Sequence, residues 1–228
     1  DTSGNLLTSL DEPYRVQTIS LSWSPDGTML ANTNQDFMGA GLAEYYVTVW
    51  DVTTSQILFK IDTDQTDVLM SVKWSPDGSK IAVASADTSI VILDTSTKLS
   101  LTTLVGHTDI VRSLSWSPDG SQIATAGQSP DNTVRIWDTK TGEALIDYQG
   151  SWITDVAWNP HFDQLAIADD NRVRIVDPTT MQIIQEFTST ATVYAVAWNP
   201  EGTQLVYGGQ SGTAEIIEVN STPFDEHR

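Results

Sequence analysis

The residues that could support catalysis are few in this chain. It contains three histidines, His107, His161 and His227, and no cysteine. A serine or threonine nucleophile needs a histidine base, but His161 lies in a turn-like Asn-Pro-His segment and His227 lies near the C-terminus. Without cysteine, thiolate metal sites, disulfides and cysteine nucleophiles are excluded, and the sequence has no phosphate loop or zinc-spaced cluster. We therefore predict that the protein is not an enzyme and binds no cofactor.

Carboxylates suggest two further kinds of site. Asp155 sits among small and apolar residues and could bind a ligand or cation, but a glycoside hydrolase needs two or three converging carboxylates. Asp62, Asp64 and Asp67 offer the oxygen ligands that calcium prefers. This segment departs from the EF-hand pattern, because Asp67 occupies the glycine position and Lys73 the position of the bidentate glutamate. A cation at either place stays open, and the alternative for Asp155 is a solvated or backbone-bonded side chain.

These residues lie within an internal repeat that is marked by a Trp-Ser/Asn-Pro tripeptide. The tripeptide begins at Trp23, Trp74, Trp116, Trp158 and Trp198. Subtraction gives intervals of 51, 42, 42 and 40 residues. Four copies continue with an acidic residue and glycine, which predicts a tight turn because proline presets φ and glycine closes the turn. The first interval is longer because of an insertion at residues 32–43, either an extended hairpin over one face of the domain or a tolerated surface loop.

Each repeat unit is predicted to hold four β-strands. A β-rich run precedes each turn and another follows it, as at residues 111–116 and 122–126. A third run ends in Trp-Asp or a similar pair, and a fourth closes the unit, as at residues 143–148. Because four antiparallel strands cannot bury both faces of their sheet alone, neighbouring units must stack face to face. We predict an all-β fold, a β-propeller of five four-stranded blades.

The third repeat resembles the WD40 family, with Gly106-His107 before its first strand and Trp137-Asp138 ending its third. In that family a histidine, a serine or threonine, an aspartate and the tryptophan form a buried hydrogen-bonded tetrad. The resemblance places this tetrad at His107, Thr125, Asp131 and Trp137. Other repeats keep only parts of the pattern. Their matching acidic positions are Glu44, Asp87 and Asp170, and Asp64-Gln65 replaces Gly-His in the second repeat.

The repeat also predicts where the domain begins and ends. We expect one propeller over residues 1–220, with blades beginning near residues 14, 66, 108, 150 and 191, and a C-terminal tail over residues 221–228. The fifth unit has no clear fourth strand, and residues 3–10 are similar to the fourth strand at residues 141–148. The N-terminal strand is therefore expected to complete the last blade, which would remove an open sheet edge. The alternative is that the chain is part of a larger, seven-bladed WD40 ring.

Trp152 is the tryptophan that the repeat does not explain, and it precedes the first strand of the fourth unit. The resemblance to the WD40 family places this entrance on the top face, where partners of such propellers dock. The matching positions in the other repeats are Gln17, Val68, Ile110 and Thr192. An exposed tryptophan there would anchor a peptide or a sugar ring, whereas the alternative is a tryptophan packed between blades. The neighbouring Asp155 takes a position that serine or alanine holds in the other repeats, on a strand expected to face the central channel.

Composition restricts the partner. Eleven basic and thirty acidic residues give a net charge of −19, which repels polyanions and argues against nucleic acid. The sequence has no apolar run long enough for membrane insertion, and neither the compartment nor the oligomeric state is determined, although the composition leans slightly towards export. We predict a non-catalytic scaffold that binds a protein or peptide. The alternative is carbohydrate binding, either lectin-like or as a five-bladed glycoside hydrolase.

Overall fold

The computed structural model describes residues 9–10, 16–39 and 42–219, and among these residues the regular elements are all β-strands. The strands of the first two sheets are β1 (Val16–Trp23), β2 (Met29–Gly39), β3 (Leu42–Asp51), β4 (Gln56–Asp62), β5 (Leu69–Trp74), β6 (Lys80–Ser85), β7 (Ser89–Asp94) and β8 (Ser100–Val105). Those of the next two are β9 (Val111–Trp116), β10 (Gln122–Gly127), β11 (Thr133–Asp138), β12 (Ala144–Gln149), β13 (Ile153–Trp158), β14 (Leu165–Asp169), β15 (Arg172–Val176) and β16 (Ile183–Thr188). The last are β17 (Val193–Trp198), β18 (Gln204–Gly209) and β19 (Ala214–Glu218).

These strands form five antiparallel sheets in chain order. Each of the first four sheets is a four-stranded meander in which strands adjacent in sequence are hydrogen-bonded to one another. In the described residues the fifth sheet holds β17, β18 and β19. The predicted all-β propeller architecture of five blades is confirmed. The strand expected at residues 3–10 to complete the fifth blade lies, apart from residues 9 and 10, outside the described residues.

The repeated tripeptide begins the turn between the first two strands of each sheet. In the first sheet Ser24 Oγ donates to Asp26 Oδ1 at 2.6 Å, and the main-chain N–H of Gly27 donates to the carbonyl oxygen of Ser24 at 2.9 Å. Gly27 has a φ of 71°, a left-handed conformation that glycine adopts without a steric penalty. The same conformation recurs at Gly78 and Gly120. The turn therefore fixes where each hairpin reverses.

The first strands of consecutive sheets run side by side in the same direction. The main-chain N–H groups of Val72 and Trp74 donate to the hydroxyls of Ser20 and Ser22, at 3.1 and 3.2 Å, so β1 and β5 meet in the same residue order. All the Trp-Ser/Asn-Pro turns consequently lie at one end of the array, which we call the turn end. The loops that lead into the first strands, including the loop with Trp152, lie at the opposite, entrance end.

The hydrophobic core consists of four clusters, one between each pair of consecutive sheets. At each junction the earlier sheet contributes a face of small and branched residues from its second and third strands, which we call its trailing face. The later sheet contributes a face that holds a tryptophan or another large residue, which we call its leading face. Between the second and third sheets the trailing face is Ala82, Ala84, Ile90 and Ile92, and the leading face includes Leu114, Trp116, Ile123 and Trp137. Burying one such leucine or isoleucine contributes about 1.5–3 kcal/mol. Stacking therefore stabilises sheets that could not bury both faces alone.

The insertion in the first repeat extends a hairpin. β2 and β3 continue to pair from Thr33 opposite Val47 to Gly39 opposite Leu42. Because β2 runs away from the turn end, the far end of this hairpin lies at the entrance end. Residues 32–39 thus belong to strand β2, and they lead to the entrance end, where Trp152 also lies.

Consecutive sheets pack on one another, but among the described residues no comparable packing joins the fifth sheet to the first. Closure of the ring is thus not observed in the part of the chain that the structure describes. Over the same residues, no helix has the length and apolarity needed to cross a membrane.

Candidate functional site

The structure brings together the four side chains that the sequence placed in a tetrad. Trp137 Nε1–H donates to Thr125 Oγ1 at 2.8 Å, and Thr125 Oγ1 lies 2.7 Å from His107 Nε2. On the other side of the ring, His107 Nδ1 lies 3.2 Å from Asp131 Oδ1. The tetrad is buried at the entrance end, where Asp131 also accepts hydrogen bonds from the main-chain N–H of Thr108 and from the Thr133 hydroxyl.

The hydrogen bonds assign the protons within this network. Burial opposes ionisation of Asp131, but hydrogen bonds from the Thr108 main chain and Thr133, together with His107, outweigh it and lower the pKa of Asp131 to about 2. Burial lowers the pKa of His107 despite the neighbouring carboxylate, so the ring is neutral at pH 7. A carboxylate can only accept, and we therefore assign the ring proton to Nδ1. Nε2 then accepts from Thr125, whose oxygen accepts from the indole.

The second sheet replaces this network with different residues. Gln65, at the position of His107, donates from Nε2 to Ser89 Oγ at 3.1 Å, and Ser89 Oγ donates to Asp87 Oδ1 at 2.6 Å. Asp87 Oδ2 accepts the main-chain N–H of Thr66 at 2.8 Å. The sequence predicted a weakened tetrad in this repeat. The structure shows that a carboxylate nevertheless holds the entrance loop through its main chain, as Asp131 does in the third sheet.

The fourth sheet has a buried ion pair at this place. Asp169 Oδ1 accepts the main-chain N–H groups of Ser151 and Trp152, at 2.8 and 2.9 Å, and its Oδ2 pairs with the Arg174 guanidinium. Arg174 Nε also donates to Glu186 Oε2 at 2.8 Å. The repeat pattern in the sequence predicted Asp170 rather than Asp169 at this position. The structure gives Asp170 a different role, because its carboxylate accepts from the Thr192 hydroxyl and its carbonyl oxygen from the Val193 N–H.

Trp152 is presented to solvent at the entrance end on this fixed loop. Trp152 is 46% exposed. The main-chain N–H groups of Trp152 and of the preceding Ser151 both donate to the buried Asp169. The other predicted positions of this face share its end of the array. Gln17 is exposed, and Val68, Ile110 and Thr192 are partly exposed. Trp152 is thus partly exposed at the entrance end, on a loop whose main chain is held by Asp169.

Asp155 lies further along β13 and is tied to three sheets. Its carboxylate accepts from Ser113 Oγ at 2.5 Å in the third sheet, from the main-chain N–H of Val156 at 2.9 Å, and from that of Val196 at 2.8 Å in the fifth. Burial raises the pKa of Asp155 in spite of these hydrogen bonds. This side chain therefore links the inner strands, and it is separated from Trp152 along the strand.

Two cavities lie at the turn end rather than at the entrance end. One of about 370 Å³ is lined by the tryptophans and prolines of the repeated turns, including Trp23, Trp74 and Pro76. The second, of about 360 Å³, reaches Asp155 and shares Lys73 with the first. Among the described residues that line these two cavities, Asp155 is the only acidic one. Glycoside hydrolysis requires a pair of carboxylates, and the described residues that line these cavities do not include such a pair.

The aspartates considered for calcium are not gathered into a site. In the described part of the chain, no group of three or more acidic or histidine side chains is arranged to hold a metal ion. Asp62 Oδ1 instead accepts the main-chain N–H of Asp64 at 3.2 Å, and Asp67 Oδ1 accepts that of Val68 at 2.7 Å. These carboxylates cap their own loop.

Comparisons with known proteins agree with this geometry. The family described as WD domain, G-beta repeat matches residues 56–94 and 98–138, and the family described as anaphase-promoting complex subunit 4 WD40 domain matches residues 156–227. The chain belongs to the WD40-repeat family. It is similar to the U5 small nuclear ribonucleoprotein 40 kDa protein of Pongo abelii, with 51% identity over 39 residues, which are 17% of this chain and 11% of that protein. The matched segment is thus about a tenth of that relative.

Within this WD40 array, sequence reasoning missed the networks of the other blades. In the first blade Trp50 Nε1–H donates to Asn32 Oδ1 at 2.7 Å, and Asn34 Nδ2–H donates to Thr48 Oγ1 at 2.7 Å. Asn32 stands where the third repeat has Thr125, which was a signal that the amide could replace the hydroxyl. The buried Arg174 gave no comparable signal. The third repeat also has an arginine at the matching position, Arg135, but that arginine pairs at the surface with Asp147.

We expect Asp155→Ser to leave the WD40 fold as stable as the parent at pH 7, within about 1 kcal/mol. Ser20, at the matching position, accepts the Val72 N–H, so serine can keep the link to Val196. Because the folded-state pKa of Asp155 is raised above 3.8, the carboxyl contributes most stability below pH 3.8 and loses it as pH rises through the folded pKa. The variant should therefore gain on the parent as pH rises.

Urea denaturation between pH 3 and pH 7 measures this difference. Asp155→Ala is the comparison variant, because alanine loses the three hydrogen bonds as well as the carboxyl group. A constant deficit of the serine variant at every pH would contradict the expected burial penalty.

Proposed function

We propose that this WD40 array is a non-catalytic scaffold that binds a basic protein segment at its entrance end, with Trp152 as the anchor. WD40 propellers are in general protein-interaction scaffolds. The observation that carries the proposal is the exposed indole of Trp152 on a loop that Asp169 holds through two main-chain hydrogen bonds. A rigid, exposed tryptophan loses little conformational freedom on binding, which is a common property of interface hot spots.

Charge supports a basic rather than an acidic partner. The chain carries a net charge of −19, and carboxylates recur in the loops of the entrance end. They include Asp64, Asp67, Asp109 and Asp170. Such a field attracts cationic segments and repels polyanions. Although the printed name of the similar Pongo abelii protein refers to a ribonucleoprotein, these charges favour a protein partner over RNA for this chain.

The test is binding to arrayed peptides of basic, neutral and acidic composition. The parent protein should bind a subset of the basic peptides, and Trp152→Ala should weaken that binding about 30-fold, the effect of losing about 2 kcal/mol at a hot spot. Leu145→Ala is the matched control, because Leu145 is similarly exposed at 48% but lies on the outer strand of the third sheet. Its binding should equal that of the parent.

Two results would overturn the proposal. Undiminished peptide binding by Trp152→Ala would remove this residue from the site. Binding to a glycan array in place of the peptides would assign the face to carbohydrate recognition instead.

A further inference from the structure

The outer strand of the second sheet, β8, is an edge strand that carries no charged residue. It is hydrogen-bonded to β7 on one side, and no other strand in the described part of the chain pairs with it. On one of its faces Leu101 is 51% and Val105 is 71% exposed, and Thr103 between them is exposed as well. Because an edge strand has unpaired main-chain N–H and C=O groups, an uncharged, apolar edge is a template for pairing with a further strand.

The outer strands of the neighbouring sheets carry a charge at the position of Thr103. Thr103 lies opposite Val91 in β7. The residues at the same place on the outer strands of the first, third and fourth sheets are Lys60, Asp147 and Glu186. Charged side chains on an edge oppose its pairing with a further strand. Among the described outer strands, β8 is thus the one without this protection.

We propose that β8 pairs with β8 of a second copy of this chain, antiparallel about a two-fold axis at Thr103. In this register Thr103 lies opposite Thr103 of the other copy, and Leu101 lies opposite Val105 of the other copy. Threonine pairs and pairs of apolar side chains are among the cross-strand contacts that stabilise antiparallel sheets. Both copies present the same surface, so the contact closes at two copies.

Self-pairing distinguishes β8 from the outer strands of the other sheets. The same two-fold register would place Lys60 opposite Lys60 on β4, and Asp147 opposite Asp147 on β12. Like charges directly opposite one another destabilise a sheet. The side chains of β8 are therefore complementary to a second copy, whereas those of the other described outer strands repel their own copies.

Charges beside the two ends of β8 fit the antiparallel arrangement. Lys98 is exposed next to the turn end of β8, and Asp109 follows β8 at the entrance end. Antiparallel pairing brings Lys98 of each copy towards Asp109 of the other copy. The net charge of −19 on each copy acts against association at longer range. Because salt screens that repulsion, we expect raised ionic strength to favour the dimer.

The contact leaves the stacking of the sheets unchanged. The first strands of consecutive sheets pack on one another, so the fourth strands lie at the outer rim of the array. Leu104, on the other face of β8, stays in the cluster between the second and third sheets. The loop of Trp152 belongs to the fourth sheet and is not part of the contact, which makes dimerisation independent of the proposed partner site.

The test exchanges the charge at the two-fold axis in the full chain. Thr103→Lys and Thr103→Glu each place two like charges opposite one another, and they introduce the residue types of Lys60 and Glu186 at the matching place. Each variant alone should dimerise at least about 10-fold more weakly than the parent. An equimolar mixture places lysine opposite glutamate and should recover a 1:1 heterodimer. Sedimentation equilibrium at raised ionic strength gives the dissociation constants.

Thr188→Lys is the matched control, because it makes the same change at an exposed position on the outer strand of the fourth sheet. It should dimerise as tightly as the parent. Amide hydrogen exchange gives a second readout, since dimerisation should slow exchange in β8 and leave β12 unchanged. Circular dichroism of each variant verifies that the sheets are retained.

Three results would overturn the proposal. A parent that stays monomeric at every concentration would show that a second copy does not pair with β8, including the case in which only a strand of another protein binds there. Dimerisation of both charged variants as tightly as the parent would place the contact away from Thr103. A mixture of the two variants that stays monomeric would exclude the two-fold register.

Discussion

Asp169→Ala is expected to lower the free energy of unfolding by about 3 kcal/mol, because removing one partner of a buried ion pair leaves the other charge without compensation. The Asp169 side chain is 1% and that of Arg174 is 9% exposed. Glu186 and Tyr148 would remain as partners of Arg174, which keeps the loss near the lower limit for buried pairs. The main-chain N–H groups of Ser151 and Trp152 would also lose their acceptor.

Urea denaturation measures the loss, and the third sheet supplies a matched control. Arg135 and Asp147 occupy the register positions of Arg174 and Glu186, but the Asp147 side chain is 54% exposed. Asp147→Ala should therefore cost less than about 1 kcal/mol. The double variant Asp169→Ala, Arg174→Leu should recover part of the loss, because it removes the uncompensated charge. Equal losses for Asp169→Ala and Asp147→Ala would contradict the importance of burial.

The five blades could be predicted from the sequence because each depends on local signals that recur. The Trp-Ser/Asn-Pro turn, with a glycine such as Gly27 at positive φ, marks the same reversal in each unit, and alternating apolar runs flank it. The choice of Asp170 over Asp169 failed for a local reason too. β14 and β15 pair up to Asp169 opposite Arg172, so Asp170 lies in a two-residue turn while Asp169 ends the strand. Counting back from Val176 could not detect this shorter loop.

Apart from the tetrad of the third blade, the buried networks could not be predicted, because they depend on which side chain fills one space at the entrance end. In the second to fifth blades that space lies beside the last residue of the second strand that pairs with the first strand: Ser85, Gly127, Asp169 and Gly209. Asn34 takes the matching position in the first blade, where the pairing continues beyond it to Asp36. At Gly127 a Cβ would overlap both Asp131 and His107, so only a glycine leaves room for the histidine. In the fourth blade Asp169 fills the space itself, and a histidine is not needed.

Thr125→Val should therefore cost about 2–4 kcal/mol, because a shape-conserving change leaves two buried polar atoms unpaired, at about 1–3 kcal/mol each. These atoms are Trp137 Nε1 and His107 Nε2, which both meet the Thr125 hydroxyl. Thr125→Ser keeps the hydroxyl and should recover most of the loss. Thr103→Val, on the exposed side of β8, should change stability by less than about 0.5 kcal/mol.

Denaturation of the four proteins in urea gives the comparison, and equal stability of the parent and Thr125→Val would show that the hydroxyl is dispensable. The result bears on binding as well as on stability. Asp131 holds the third entrance loop through the Thr108 N–H, as Asp169 holds the loop of Trp152. If these buried networks position the loops of the entrance end, a variant that loosens one of them should lose stability and loop order together. The turn end, which is built from the repeated tripeptide, should be unaffected.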